Sequence, residues 1–126
     1  MAGEDVPIWE RFLDLRGPEF IGFVYDARVG QGIAPPPGMS PELIKVQFDN
    51  TAKRIDAIGV RSGELWIIEV RRRFGLSSIG QVLGYTVLAA DDLPAELSRR
   101  VVIVTDNMGR DEKTITDKLG IEVVVV

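Results

Sequence analysis

The sequence predicts an α/β domain in which a central mixed β-sheet is flanked by helices. Three observations lead there. Arg99 to Asp106 (RRVVIVTD) is a continuous β-branched run of the kind found in strands covered on both faces. Leu43 to Arg71 alternates apolar runs with polar turns, as antiparallel strands do. Pro7–Leu15 and Leu76–Ala90 instead carry their apolar residues at helical spacing.

In chain order, PIWERFLDL (7–15) puts Ile8, Trp9, Phe12 and Leu13 on one helical stripe, with Pro7 early and Gly17-Pro18 as the stop. EFIGFVYDARV (19–29) is rich in aromatic and β-branched residues and reads as a strand. Residues 30–41, GQGIAPPPGMSP, hold four prolines and three glycines and form a loop. Three strands are then expected at LIKVQF (43–48), RIDAIGV (54–60) and LWIIEVR (65–71), joined by the polar turn DNTA (49–52) and the tight turn RSGE (61–64). A helix over 76–90 has Ile79, Leu83, Val87 and Ala90 on one stripe. Strand 99–106, a polar helix over 110–119 stopped by Gly120, and a last strand IEVVVV complete a single domain spanning 1–126. Whether that last strand is interior or an edge that pairs with another chain, as in a homo-oligomer, stays open at this level.

Composition restricts the chemistry. The chain has no cysteine and no histidine. Disulfides, thiolate nucleophiles, imidazole metal sites and serine–histidine triads are therefore excluded, and catalysis must use carboxylates, Lys, Arg, Tyr or a bound hard cation. The net charge of −4 opposes non-specific coating of nucleic acid. Lys45 to Arg73 nevertheless holds seven Lys or Arg against four Asp or Glu, a basic strip compatible with a focused phosphate site. No apolar run is long enough to span a bilayer, and MAGEDVPIWE is acidic where a signal peptide is basic, so a cytoplasmic protein without membrane contact is expected.

Two acids interrupt the apolar strands, Asp56 in RIDAIGV and Glu69 in WIIEV. A two-residue turn at Ser62-Gly63 sets Asp56 directly opposite Glu69, on one face of the sheet. Like charges so close require a proton or a cation between them, and a hard divalent ion that also accepts phosphate oxygens is the natural partner. Strand alternation places Arg71 on the same face. The competing reading is an inert ion pair between one of the acids and Arg54 or Arg71.

An Asp on one strand followed by Glu-x-basic on the next (Asp56, then Glu69-Val70-Arg71) resembles the signature of the PD-(D/E)XK nuclease-like superfamily. Gln81 and Tyr85 fit the Gln-x-x-x-Tyr motif of its RecB-like branch. RIDAIG, IIEVR and LSSIGQVLGY are similar to small bacteriophage-type members, which would place the protein in host cytoplasm or virion. The resemblance implies a restriction-endonuclease-like core and DNA as partner. It implies Mg²⁺ or Mn²⁺ held by Asp56, Glu69 and the Val70 carbonyl, with Asp56, Glu69 and Arg71 as the catalytic set. It also implies nucleic-acid contacts from Arg71, Arg73, Gln81 and Tyr85, and assigns Glu10 to the acid that some members carry on the first helix. Arg71 stands where the family has lysine, and unlike lysine it is never neutral. Two readings follow: a metal-dependent deoxyribonuclease, or a catalytically degenerate relative that binds DNA or builds a phage or nucleoprotein assembly. A small interaction module without nucleic acid is what net charge alone suggests.

Overall fold

The computed structural model describes residues 1–51 and 53–126, the side chains of 49–51 excepted. Its single sheet has five strands in the order β1 (Gly22–Val29), β2 (Lys53–Arg61), β3 (Glu64–Arg71), β4 (Ser98–Thr105) and β5 (Glu122–Val125). The first three are antiparallel, whereas β4 runs parallel to β3 and β5 parallel to β4. Both parallel steps need a crossover. Helix α3 (Leu76–Ala89) makes the first and α4 (Arg110–Leu119) the second. β5 is thus an edge, as is β1.

α1 (Val6–Arg16) covers one face of the sheet. Its Ile8, Trp9 and Phe12 pack on Trp66, Ile68 and Val70 of β3 and on Val102 and Val104 of β4. Phe20 and Phe23 extend this layer, with Phe20 edge-on to Trp66 at 4.9 Å and Trp9 edge-on to Phe23 at 5.1 Å. On the other face, α3 lays Ile79 and Val82 over Ile103, and Ala89 over Leu65 and Ile67. Even-numbered residues of β3 therefore face α1, and odd-numbered ones face α3. Glu69 and Arg71 belong to the α3 face.

One expected element is replaced. LIKVQF is not a strand: Pro41–Thr51 forms helix α2. Ser40 caps it, its hydroxyl accepting the Leu43 N–H at 3.3 Å and its carbonyl the Ile44 N–H at 2.9 Å. Pro41 at the first helical position and Glu42 in the first turn complete a strong start signal, which overrides the alternation of Leu43 and Lys45. Of the turn expected at 49–52, residues 49–51 belong to this helix, and Ala52 lies outside the described residues. The loop after β1 accordingly ends at Ser40. Residues 17–19 form a 3-10 turn, and β1 starts at Gly22. No helix among the described residues is long and apolar enough to cross a membrane.

Gly59 of β2 lies under the aromatic layer, where an added Cβ would stand 2.7 Å from Phe20 Cε2 and 3.2 Å from Phe23 Cε1. Both rings are packed and cannot simply swing aside. Gly59→Ala should destabilise the domain by about 1–3 kcal/mol in urea unfolding, with an unchanged m-value; an unaltered midpoint would contradict this packing.

Candidate active site

The β2–β3 hairpin has the expected register, from Arg61↔Glu64 to Ala57↔Ile68, with Gly63 supplying the positive φ of 73° that its turn requires. The ladder ends one step before Asp56 and Glu69. On its other side Asp56 also lacks a ladder partner, because the β1–β2 pairing skips from Tyr25↔Ala57 to Ala27↔Ile55. Asp26, the residue skipped, has φ +51°. Asp56 thus lies at a one-residue interruption of the β1 ladder and just past the end of the β3 ladder. A cleft of about 620 Å³ opens there, lined among others by Asp5, Asp56, Arg71 and Tyr85, with Lys53 and Arg54 of the basic strip on its wall.

Both acids are buried, Asp56 at 6% and Glu69 at 1% exposure. Asp56 Oδ2 accepts the Val70 N–H at 2.9 Å. Arg71 reaches back over both carboxylates. Its Nη1 donates to Asp56 Oδ2 at 3.1 Å and to the Val70 carbonyl at 2.7 Å. Its Nη2 lies 2.5 Å from Glu69 Oε1 and donates to Gln81 Oε1 at 2.9 Å. The Met1 α-amino group lies 3.3 Å from Asp56 Oδ1. Glu69 Oε2 is the one buried side-chain oxygen or nitrogen among the described residues without a hydrogen-bond partner. Burial, then the Asp56 carboxylate, push the Glu69 carboxyl up to about 8, with the Arg71 guanidinium opposing.

Asp56, Glu69, Val70, Arg71 and Gln81 are therefore one bonded cluster. Tyr85 follows Gln81 by one helical turn and lines the same cleft. Burial and the Glu69 carboxylate raise its phenol above the usual range. Two expected residues lie elsewhere. β3 ends at Arg71, so Arg73 does not return to the site face; it is exposed, with φ +58°. Glu10 is exposed on α1, off the stripe formed by Ile8, Trp9 and Phe12, and does not line the cleft.

Asp5 was not foreseen. It is 2% exposed, its Oδ1 accepts the Arg72 N–H at 2.8 Å, and its Oδ2 lies 3.8 Å from Arg71 Nη1. No sequence signal pairs residues 67 positions apart, although an Asp just before a helix does mark a helix start. Asp106, just past β4, accepts the Arg73 N–H at 3.1 Å.

The donor set suits a hard cation in kind: two carboxylates and a carbonyl, one carboxylate oxygen unpartnered, and three acids around one guanidinium. Among the described residues no three acids converge closely enough to form an all-carboxylate cage. Any ion here would share its oxygens with Arg71.

A carboxyl held more basic in the folded chain than its ordinary 4.5 binds its proton more tightly there. Stability linked to Glu69 is thus complete below about pH 4.5 and lost as pH rises through about 8. Glu69→Gln removes this loss. Its unfolding free energy relative to wild type should therefore improve, by on the order of a few kcal/mol, between pH 5 and pH 8.5. Parallel pH profiles in urea titrations would show that Glu69 ionises normally.

No family model matches the chain, and no curated protein sequence does. Among solved structures, a repair endonuclease from Pyrococcus abyssi superposes with a TM-score of 0.58 at 18% identity, over 100% of this chain and 47% of that one. The chain thus spans about half the length of this neighbour. At that identity the likeness is one of fold alone: the five-stranded mixed sheet with its flanking helices matches the restriction-endonuclease-like fold of that neighbour.

Proposed function

We propose that this chain is a nuclease-like domain of the RecB-like branch, acting on DNA phosphodiesters at the Asp56–Glu69–Arg71 centre. The observation that carries the reading is the bonded cluster itself. Two buried acids, a cationic side chain and Gln81 meet beside a cleft that Asp56 and Arg71 line, just past the end of the β2–β3 ladder. On this fold, that is the arrangement expected for phosphodiester hydrolysis.

Asp56, Glu69 and the Val70 carbonyl would hold Mg²⁺ or Mn²⁺, which when bound neutralises phosphate charge and lowers the pKa of a coordinated water. Arg71 supplies a permanent positive charge against the negative charge that grows on the phosphate oxygens in the transition state. It cannot relay a proton, so its contribution is electrostatic. Gln81 limits where the guanidinium points. Lys53 and Arg54 on the cleft wall are suited to flanking phosphates.

A second reading is favoured by one specific contact pattern. The Arg71 guanidinium already bonds to Asp56, Glu69 and the Val70 carbonyl, the three donors named for the ion. On this reading the chain is a degenerate relative that binds DNA or serves in a phage or nucleoprotein assembly.

Supercoiled and linear DNA incubated with Mg²⁺ or Mn²⁺ separates the two. A nuclease cuts, and Asp56→Ala should lower its rate by roughly two to three orders of magnitude. A degenerate relative binds labelled DNA at low salt without cutting, and Arg71→Lys, which withdraws the fork from the carboxylates, should restore cleavage. Neither binding nor cutting at low salt would exclude both.

A further inference from the structure

We propose that Asp5 is a positioning residue for the Arg71 guanidinium, a role that rests on the function proposed above. β3 pairs with β4 up to Arg71↔Thr105, and beyond it the backbone has no ladder to hold it. Two carboxylates from distant parts of the chain take over. Asp5 accepts the Arg72 N–H, and Asp106, just past β4, accepts the Arg73 N–H. Together with Asp56 on the Val70 N–H, three aspartates from three separate elements anchor the segment that carries Arg71.

Asp5 closes the 3-10 turn Gly3–Asp5 that runs into α1, with helical backbone angles, and its side chain makes no hydrogen bond to that helix. The carboxylate is instead buried and turned to Arg72, with its second oxygen facing the Arg71 guanidinium. A polar side chain buried this deeply is unfavourable unless it is bonded, and the bond it makes is to the Arg72 N–H rather than to α1. What the arrangement accomplishes is to set the direction in which residue 71 leaves the sheet. Arg73 takes up the bend in a left-handed conformation that is strained for a non-glycine residue.

The anchor is a neutral acceptor function, so asparagine can replace it and alanine cannot. The test compares wild type, Asp5→Ala and Asp5→Asn by nuclear magnetic resonance of the arginine side chains, with Arg71 assigned through Arg71→Lys. In wild type and Asp5→Asn the Arg71 Nη protons should be resolved and slow to exchange. In Asp5→Ala their exchange should rise roughly tenfold, the weight of one lost hydrogen bond. If Asp5→Ala does not fold, Asp5→Glu serves instead, because it keeps the charge but displaces the acceptor and should loosen Arg71 likewise. In cleavage assays kcat should fall roughly tenfold in Asp5→Ala with KM within about twofold, and Asp5→Asn should recover it. Unchanged Arg71 signals in a folded Asp5→Ala would overturn the proposal, as would an Asp5→Asn as loose as Asp5→Ala. Absence of cleavage by wild type would count against the nuclease reading alone, since the resonance comparison needs no turnover.

Discussion

Two carboxylates buried side by side must be neutralised, and most of what surrounds the cleft follows from how this chain does it. At about 4 Å and an effective dielectric near 20, a pair of like charges repels by about 4 kcal/mol, a large share of a small domain's total stability. Asp56 relieves part of the strain by accepting the Val70 N–H, Glu69 by holding its proton more tightly, and Arg71 by folding back over both. The first two act within the paired part of β3, whereas the third depends on how the end of that strand is held. The aspartates at 5 and 106 hold it from outside the hairpin.

The opposite end of β3 shows arginines in a different role. Trp66 is wholly buried beneath the guanidinium groups of Arg16, Arg61 and Arg100, which lie 5.0, 5.4 and 4.4 Å from its ring. Each of these arginines also meets a glutamate: Arg16 and Arg61 meet Glu19, and Arg100 meets Glu64 and Glu122. Positive and negative groups match there, and no buried acid is left over. At the Arg71 end three acids meet one guanidinium and the Met1 α-amino group, and an oxygen of Glu69 goes unpartnered. The imbalance, rather than the presence of charge, distinguishes the cleft from a packed strand end.

The hairpin was legible because a two-residue turn leaves little freedom in pairing, so Asp56 and Glu69 could be brought together from spacing alone. The crossover helix and the β-branched strands after it were legible from their periods. α2 is obscured in the sequence because the strand-like alternation of Leu43 and Lys45 competes with Ser40-Pro41-Glu42, a local helix start that needs no tertiary partner. Arg73 was misplaced because strand alternation was carried two residues past the last ladder pair. Asp5 could not have been found by any local rule. Its partner is a backbone N–H 67 residues away, and only the packing of α1 across β3 brings the two together.

The same packing explains why arginine rather than lysine suits residue 71 in the chain as it stands. Its two terminal nitrogens serve four acceptors: Asp56 on β2, Glu69 and the Val70 carbonyl on β3, and Gln81 on α3. An ammonium has three donors on one atom and cannot span them. A planar fork therefore bridges the two carboxylates, with the Met1 α-amino group beside Asp56, and ties the crossover helix to the hairpin. It engages one oxygen of each carboxylate and leaves Glu69 Oε2 without a partner. Arginine thus gives this site an order of its own, and a phosphate oxygen is a partner it could take up in exchange for a carboxylate oxygen while keeping charge-assisted hydrogen bonds.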